Sequence, residues 1–401
     1  MNKQQIQDLL QSEHFCSHLA LSATVYPGSR WVPCCKSNGE TFVSVPLTQM
    51  TLQEYKSDQK FQSIKSDLAN QTQNEFCRVC KDVEAAGGQS DRQSNNANWL
   101  RIISEQDLWQ EFDQWYQSEQ AGQHGAWHWY LFLDNQCQAR CVMCDPVFST
   151  ALEKEYGILG WKQIQFAKDR SQDLTVNDPV RVVEEFKKHA SQAKILQLLG
   201  GEPTLSQDGL DLLQWLVDQG FSQHMILKIN TNGIKIPRKW LDVCQNFKQC
   251  QWSVSVDALG DLNHWIRYPT PWKNVETSIA ELKQHGFFIM IKTTVHALNV
   301  HYMPEVYDWA KRQELLLHIT PVFAPAELGL ANLNNIQRYA LIEKFRSNDA
   351  FYQAHGKVLI DYVDANPCQG QESLLTFLQQ LQPHRPVPFD HVNEFFTEKF
   401  F

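Results

Sequence analysis

The sequence predicts an α/β protein built on a partial (β/α)6 barrel, with a small cysteine-rich N-terminal domain before it and a C-terminal helical extension after it. Three observations predict this fold class. From about residue 128, six short apolar, β-branched or aromatic runs recur at intervals long enough for a crossover. The stretches between them, such as "DPVRVVEEFKKHASQ" (178–192) and "WKNVETSIAELKQHG" (272–286), carry apolar residues at helical spacing. The unusual short motifs of the chain all fall at the ends of runs, the rim where parallel α/β sheets and barrels bind ligands.

The runs in order are "HWYLFLD" (128–134), "AKILQLLG" (193–200), "MILKINTN" (225–232), "QWSVSVDA" (251–258), "FFIMIKTTV" (287–295) and "ELLLHITPV" (314–322). Near-continuous hydrophobicity suits strands covered on both faces, and alternation with helices gives a parallel sheet with right-handed crossovers. Residues 1–95 have another texture, with a hairpin "LSATVYPGSRWVPCC" turning at Pro27-Gly28. The polar stretches "QSDRQSNNAN" and "SEQAGQHG" flank the junction, so residues 96–127 read as a linker. The barrel occupies 128–330, and 331–401 is the helical extension ending in "HVNEFFTEKFF".

Composition narrows the function. A chain of 401 residues, 43% hydrophobic and 20% charged, can bury a large core plus a satellite domain. A net charge of −9 without a Lys/Arg cluster argues against a nucleic-acid surface. No segment reaches the apolar length of a membrane span, and "MNKQQIQDLLQSEHF" has no apolar signal core, which predicts a cytoplasmic protein without membrane partners. In a reducing compartment, an odd count of 11 cysteines points to metal ligands or catalytic groups rather than disulfides.

Cys137, Cys141 and Cys144 form C-x3-C-x2-C in "CQARCVMCD", directly after the first run. A shuffled chain of this composition would show that spacing about once in a hundred trials. Three close thiolates stabilise a cationic centre, either zinc, with His128 or Asp145 as a fourth ligand, or an iron–sulfur cluster. The zinc alternative makes the protein a zinc-stabilised, non-catalytic binding module. A cluster held by only three cysteines leaves one iron open to a substrate or cofactor.

The chain here resembles the radical S-adenosylmethionine (SAM) superfamily, whose hallmark loop has an apolar residue before its last cysteine, as Met143 stands here. The resemblance continues in "GGEP" (Gly200, Gly201, Glu202, Pro203), "NTNG" after the third run and "SVDA" closing the fourth. It implies a [4Fe–4S] cluster on the three cysteines and SAM bound against it. Backbone carbonyls of the Gly-Gly turn and the Glu202 side chain would accept from the SAM ammonium. Thr231 and Ser255 would face the SAM carboxylate, with Asn230 and Asp257 nearby and Arg267, in "DLNHWIRYPTPW", as a carboxylate partner. The implied activity is reductive cleavage of SAM to a 5′-deoxyadenosyl radical that abstracts hydrogen from a substrate. An electron donor such as flavodoxin or ferredoxin is implied with it.

Cys16, the Cys34-Cys35 pair, Cys77 and Cys80 form a second group, and spacing alone fits zinc and [4Fe–4S] equally. This region resembles the twitch or SPASM type of auxiliary-cluster domain, placed before the barrel. That implies a second [4Fe–4S] cluster on Cys16, Cys34, Cys77 and Cys80. The "PC" after the hairpin glycine fits the family pattern, which implies Cys34 as the ligand and Cys35 as the spare, with Cys35 the alternative; neighbouring strand residues point to opposite faces, so only one of the two readily reaches the cluster. Cys244, Cys250 and Cys368 have no partner by spacing; Cys368 sits in a polar loop as a candidate hydrogen-atom donor. His296, His301 and His318 lie near run ends as candidate acid–base groups. Two substrate classes remain, a peptide or protein and a small metabolite. A peptide maturase carries or borrows a leader-binding module, and residues 1–15 are too short to be one.

Overall fold

A computed structural model describes residues 1–34, 44–72, 74–85, 88–161, 177–322 and 324–396. Cys35 lies outside them. The chain divides into two compact units. The first comprises Met1–Asp134, the described part of Phe166–Gly200, and Asp211–Leu227; the second comprises the described parts of Asn135–Gln165, Gly201–Leu210 and Lys228–Phe401.

In the first unit β1 (Ser22–Tyr26), β2 (Arg30–Val32), β3 (Val45–Pro46), β4 (His128–Phe132) and β5 (Ile195–Leu199) lie in the order β3-β2-β1-β4-β5. The expected hairpin is there: β1 and β2 pair antiparallel with Val25 opposite Trp31. Gly28 at φ +77° and Ser29 at φ +51° make the turn, a backbone conformation that glycine adopts without strain. β4 and β5 pair in parallel, His128 opposite Ile195. β1 also runs parallel to β4, with Ser22 opposite His128, so the N-terminal strands extend the sheet that holds the first two predicted runs.

Residues 96–127, expected as a linker, fold as most of helix Asp91–Glu105 and all of helix Trp109–Gln120. The polar stretch 89–98 that suggested a linker is the start of the first helix, with Ser90, Arg92 and Asn96 buried. Ser90 caps the first helix through a capping box with Gln93. Trp99, with Ile102 and Ile103 three and four residues on, and Phe112, with Trp115 three residues on, are buried in one core with Ile6, Trp127, Ile195 and Ile226.

In the second unit β6 (Ile226–Thr231, which begins at the end of the first unit), β7 (Gln249–Ser255), β8 (Phe288–Val295) and β9 (Leu316–Pro321) lie in that order. β7 pairs parallel with β8, Ser255 opposite Lys292, and β8 with β9, Met290 opposite Leu316. The crossover helix Trp272–Gln284 buries Val275, Ile279 and Leu282, the residues whose spacing predicted it. All six predicted runs are therefore strands. Helices Asn335–Ser347, Lys357–Ala365 and Glu372–Leu381 are not an appendage to this unit. Leu341, Phe345, Val363 and Phe377 share one core with Val295, Val300 and Met303. Among the described residues no helix is long and apolar enough to cross a membrane.

Because Trp99 is 1% exposed within that helical core, Trp99→Ala should lower unfolding free energy by about 3–5 kcal/mol. Urea denaturation checks this; a loss below about 1 kcal/mol would fit a linker instead.

Candidate active site

The cysteine loop follows β4 and is held by several backbone hydrogen bonds. The Ser149 hydroxyl donates to the Ala139 carbonyl at 2.7 Å. The Arg140 N–H donates to the Tyr268 carbonyl at 2.6 Å, and the Val142 N–H to the Ile266 carbonyl at 2.9 Å. Asp145 accepts from the Val147 N–H and starts the short turn after Cys144.

Cys141 is buried, and Cys137 and Cys144 are half-buried. Two hydrogen bonds reach the Cys137 sulfur, from the Ala139 N–H at 3.4 Å and from the Asn232 side-chain amide at 3.8 Å. Burial, and then the neighbouring Cys141, push the Cys137 thiol up to about 12. Burial raises Cys144 as well, with Cys141 and Cys137 adding to it. Three thiols that would repel one another as thiolates need a cationic centre to ionise, and the set fits a cluster held by three cysteines. Among the described residues no three His, Cys, Asp or Glu side chains gather as a site for one metal ion. Cubane thiolates have no need to, because each binds a different iron.

The Gly-Gly turn is made by contact. A Cβ on Gly201 would sit 2.2 Å from the Gln136 carbonyl oxygen, the residue before Cys137. Gly200 holds φ +122°, and a Cβ there would sit 2.7 Å from the Asp134 carbonyl oxygen. The Glu202 N–H then donates to the Gln136 carbonyl at 2.7 Å. Pro203 opens the short 3-10 turn that follows.

Glu202, 1% exposed, is already engaged. Its carboxylate accepts from the Thr204 hydroxyl at 2.7 Å, the Thr231 hydroxyl at 2.8 Å and the Asn232 N–H at 2.7 Å. The expected ammonium acceptor therefore ties the turn after β5 to the end of β6, and buried Thr231 spends its hydroxyl on that tie. Asp257 and Arg267 meet each other, with Nη1 of Arg267 2.6 Å from Oδ2 of Asp257. Asp257 also accepts from the Thr294 N–H at 2.8 Å. Asn230 accepts from Lys292 Nζ at 3.5 Å, while half-buried Ser255 ends β7. Met143 packs against the core of the second unit.

Asn232 stands within "NTNG", where its residue type alone gives no sign of a bond to a cysteine sulfur. Lys292 was missed, and its only signal is a charge inside an otherwise apolar run. Of the candidate acid–base groups, His296 is fully buried and pushed down to about 3 by that burial, with the Arg267 charge adding to it. The Leu298 N–H donates to its Nδ1 at 3.2 Å. His301 stacks on Phe395 at 4.0 Å, and His318 is exposed beside Thr320. Cys244 and Cys250, unpaired by spacing, are both buried; burial raises the Cys244 thiol, with Cys250 adding to it, and Cys368 is exposed.

In the first unit Cys16, Cys34, Cys77 and Cys80 line one cavity with Leu19, Leu68, Phe76, Lys81 and Arg92. Cys16 precedes helix Ser17–Leu21, and Cys34 leaves β2. Cys77 ends the turn Glu75–Cys77, and Cys80 lies on helix Arg78–Ala85, one helical turn further. Burial pushes Cys16 up to about 12, with Cys80 and Cys77 adding to it, and Cys77 up to about 11. Four thiols around one apolar cavity fit a four-cysteine cluster.

Residues 133–310 match the family model of the radical SAM superfamily. That span contains the three loop cysteines and every candidate SAM contact, from Met143 to Arg267. The chain is also similar to anSMEcpe with bound AdoMet at 14% identity, covering 61% of this chain and 60% of that one, TM-score 0.41. It therefore spans less than two thirds of that protein. A second similar structure is Streptococcus suis SuiB bound to S-adenosylmethionine, at 13% identity, covering 80% and 67%, TM-score 0.41. A third is the methyltransferase TsrM of Kitasatospora setae with cobalamin and a [4Fe–4S] cluster, at 13% identity, covering 49% and 34%, TM-score 0.36. No curated protein sequence matches the chain.

Glu202→Gln would turn an acceptor into a donor facing N–H and O–H groups. It should cost about 1–3 kcal/mol of stability in the absence of SAM. Denaturation without SAM reads this; unchanged stability together with weaker SAM binding would assign Glu202 to the ligand alone.

Proposed function

We propose that this enzyme of radical SAM type holds a [4Fe–4S] cluster on Cys137, Cys141 and Cys144 and cleaves SAM reductively. We propose further that Cys16, Cys34, Cys77 and Cys80 hold an auxiliary [4Fe–4S] cluster in a twitch/SPASM-like N-terminal region. The observation that carries the first part is the three-thiol loop, gripped by its neighbours, inside the segment that matches the superfamily. A non-catalytic zinc module does not account for that match. The second part is supported by the four thiols around one cavity.

When bound, the cluster supplies the electron that splits SAM into methionine and a 5′-deoxyadenosyl radical, which takes hydrogen from the substrate. The chain's own residues hold the parts. Gly200, Gly201 and Pro203 bring backbone carbonyls close to the loop for the SAM ammonium, while Glu202 keeps that turn in register with Thr231. Asn230 and Ser255, with Lys292 beside them, face the SAM carboxylate and ribose. The Asp257–Arg267 pair, buried and near neutral as a unit, keeps Arg267 aimed at the site. Asn232 hydrogen-bonds the Cys137 sulfur, and such bonds tune a cluster's potential. Electrons come from a carrier of the flavodoxin or ferredoxin type.

The substrate is a peptide or protein, or a small metabolite, presenting one C–H bond. The end position of β9 in the strand order, with Leu316 56% exposed, supports the peptide class, because an edge strand can pair with an extended segment.

Cys137→Ala, Cys141→Ala and Cys144→Ala should each abolish 5′-deoxyadenosine formation under dithionite, and cleavage retained in any one would sink the assignment. For the second cluster, Cys77→Ala should lower iron per chain by about half, leaving the remaining cluster visible by electron paramagnetic resonance. Full iron in that variant would rule the second cluster out.

A further inference from the structure

The spacer between Cys137 and Cys141 is gripped from the far end of the chain. Arg385 follows the one-turn helix Gln382–His384, and its side chain is 0% exposed. Its Nη1 donates to Glu155 Oε1 at 2.7 Å and its Nη2 to Oε2 at 3.2 Å. The same Nη2 donates to the carbonyl oxygen of Arg140 at 3.1 Å, the residue before Cys141. Arg140 shares the carboxylate, with its Nη1 3.2 Å from Glu155 Oε1.

The aromatic surroundings fix both guanidiniums. Arg140 lies 4.7 Å over the Tyr268 ring, and Arg385 lies 5.6 Å over both Tyr268 and Trp265. The segment that carries Arg385 is itself pinned. Trp265 Nε1 donates to the Val387 carbonyl at 3.1 Å, the Trp265 and Phe389 rings lie 4.5 Å apart, and the Phe389 N–H donates to Gln382 Oε1 at 2.7 Å.

Two guanidiniums on one carboxylate, Arg385 and Glu155 fully buried and Arg140 partly exposed, leave one positive charge in excess at the backbone of the cysteine loop. Stability is a weak account of such a set, because desolvating three charges offsets most of what their pairing returns. Electrostatics toward the loop is a better one. A cubane with three thiolates is net negative and gains one more negative charge when an external donor reduces it by one electron. Within a low-dielectric interior a fixed cation close by favours that more negative state.

We propose that Arg385 is a positioning residue for the cysteine loop, and that the Arg140–Glu155–Arg385 set biases the loop's cluster toward its reduced form. The proposal rests on the reading of Cys137, Cys141 and Cys144 as cluster ligands. The C-terminal segment is then part of the active site's support, acting through Arg140 and Glu155 without touching SAM or substrate.

The test uses the full chain, reconstituted anaerobically, with iron and sulfide counted and the midpoint potential of the cluster read by resonance-monitored dithionite titration. The clusters are separated by working in the Cys77→Ala background. Arg385→Met should shift the midpoint to more negative values and lower iron occupancy. Arg385→Lys, which keeps the charge, should stay near the parent potential. Glu155→Gln removes the negative charge and should shift the midpoint the other way. Opposite signs for the methionine and glutamine variants are the signature, since a purely structural disturbance has no reason to reverse direction. Full iron and an unchanged midpoint in Arg385→Met would overturn the proposal, as would shifts of the same sign in both variants. If thermal melting shows the methionine variant misfolded, the glutamine variant decides: an upward shift supports the proposal, and no shift or a downward one overturns it. A parent protein with no iron at all would instead be the failure of the cluster reading, and the proposal would fall with it.

Discussion

A backbone-to-backbone approach governs the site: Gly201 lies against the Gln136 carbonyl so closely that even a methyl group would collide with it. Because the two segments touch at that point, the Glu202 N–H can donate to the same carbonyl, and the Glu202 carboxylate is delivered to the end of β6. Asn232, fixed through its N–H by Glu202, then reaches the Cys137 sulfur. One steric constraint thus passes through a buried carboxylate to a thiol. The Gly-Gly pair is there because the chain has no room for a side chain, and the chemistry at the rim depends on that closeness.

Electrostatics forms the second layer. The loop thiols sit where burial and mutual repulsion disfavour thiolates. Such a site holds its charge only when a metal centre or nearby cations supply the balance. Arg267 is partly consumed by Asp257, and Arg140 and Arg385 share Glu155, whereas buried Glu202 is held by hydroxyl and N–H donors alone. The N-terminal thiols are arranged differently, around an apolar cavity with Lys81 and Arg92 at its wall.

The strands were legible because fully covered β-segments leave continuous apolar runs, and the motifs were legible because tight turns restrict residue type. The linker expectation failed at 96–127 for a physical reason. Helices Asp91–Glu105 and Trp109–Gln120 show solvent a polar face, and their apolar spacing is interrupted by asparagine and glutamine. That β1 joins β4 is a pairing over about a hundred residues that no local pattern carries. Glu202 is legible as an acceptor from its residue type; that Thr231 and Asn232 donate to it depends on tertiary approach. Arg385 left no signal, since its partners Arg140 and Glu155 lie more than two hundred residues earlier. Contacts set by chain neighbours were readable, and contacts set by distant segments were not.

The claim underneath all of this is that the cysteines hold iron–sulfur clusters. Metal and sulfide analysis of the wild-type chain, purified without oxygen, tests it most directly. A brown protein with about eight iron and eight sulfide per chain, for two cubanes, is the predicted result. A colourless protein holding zinc and no acid-labile sulfide would contradict the account.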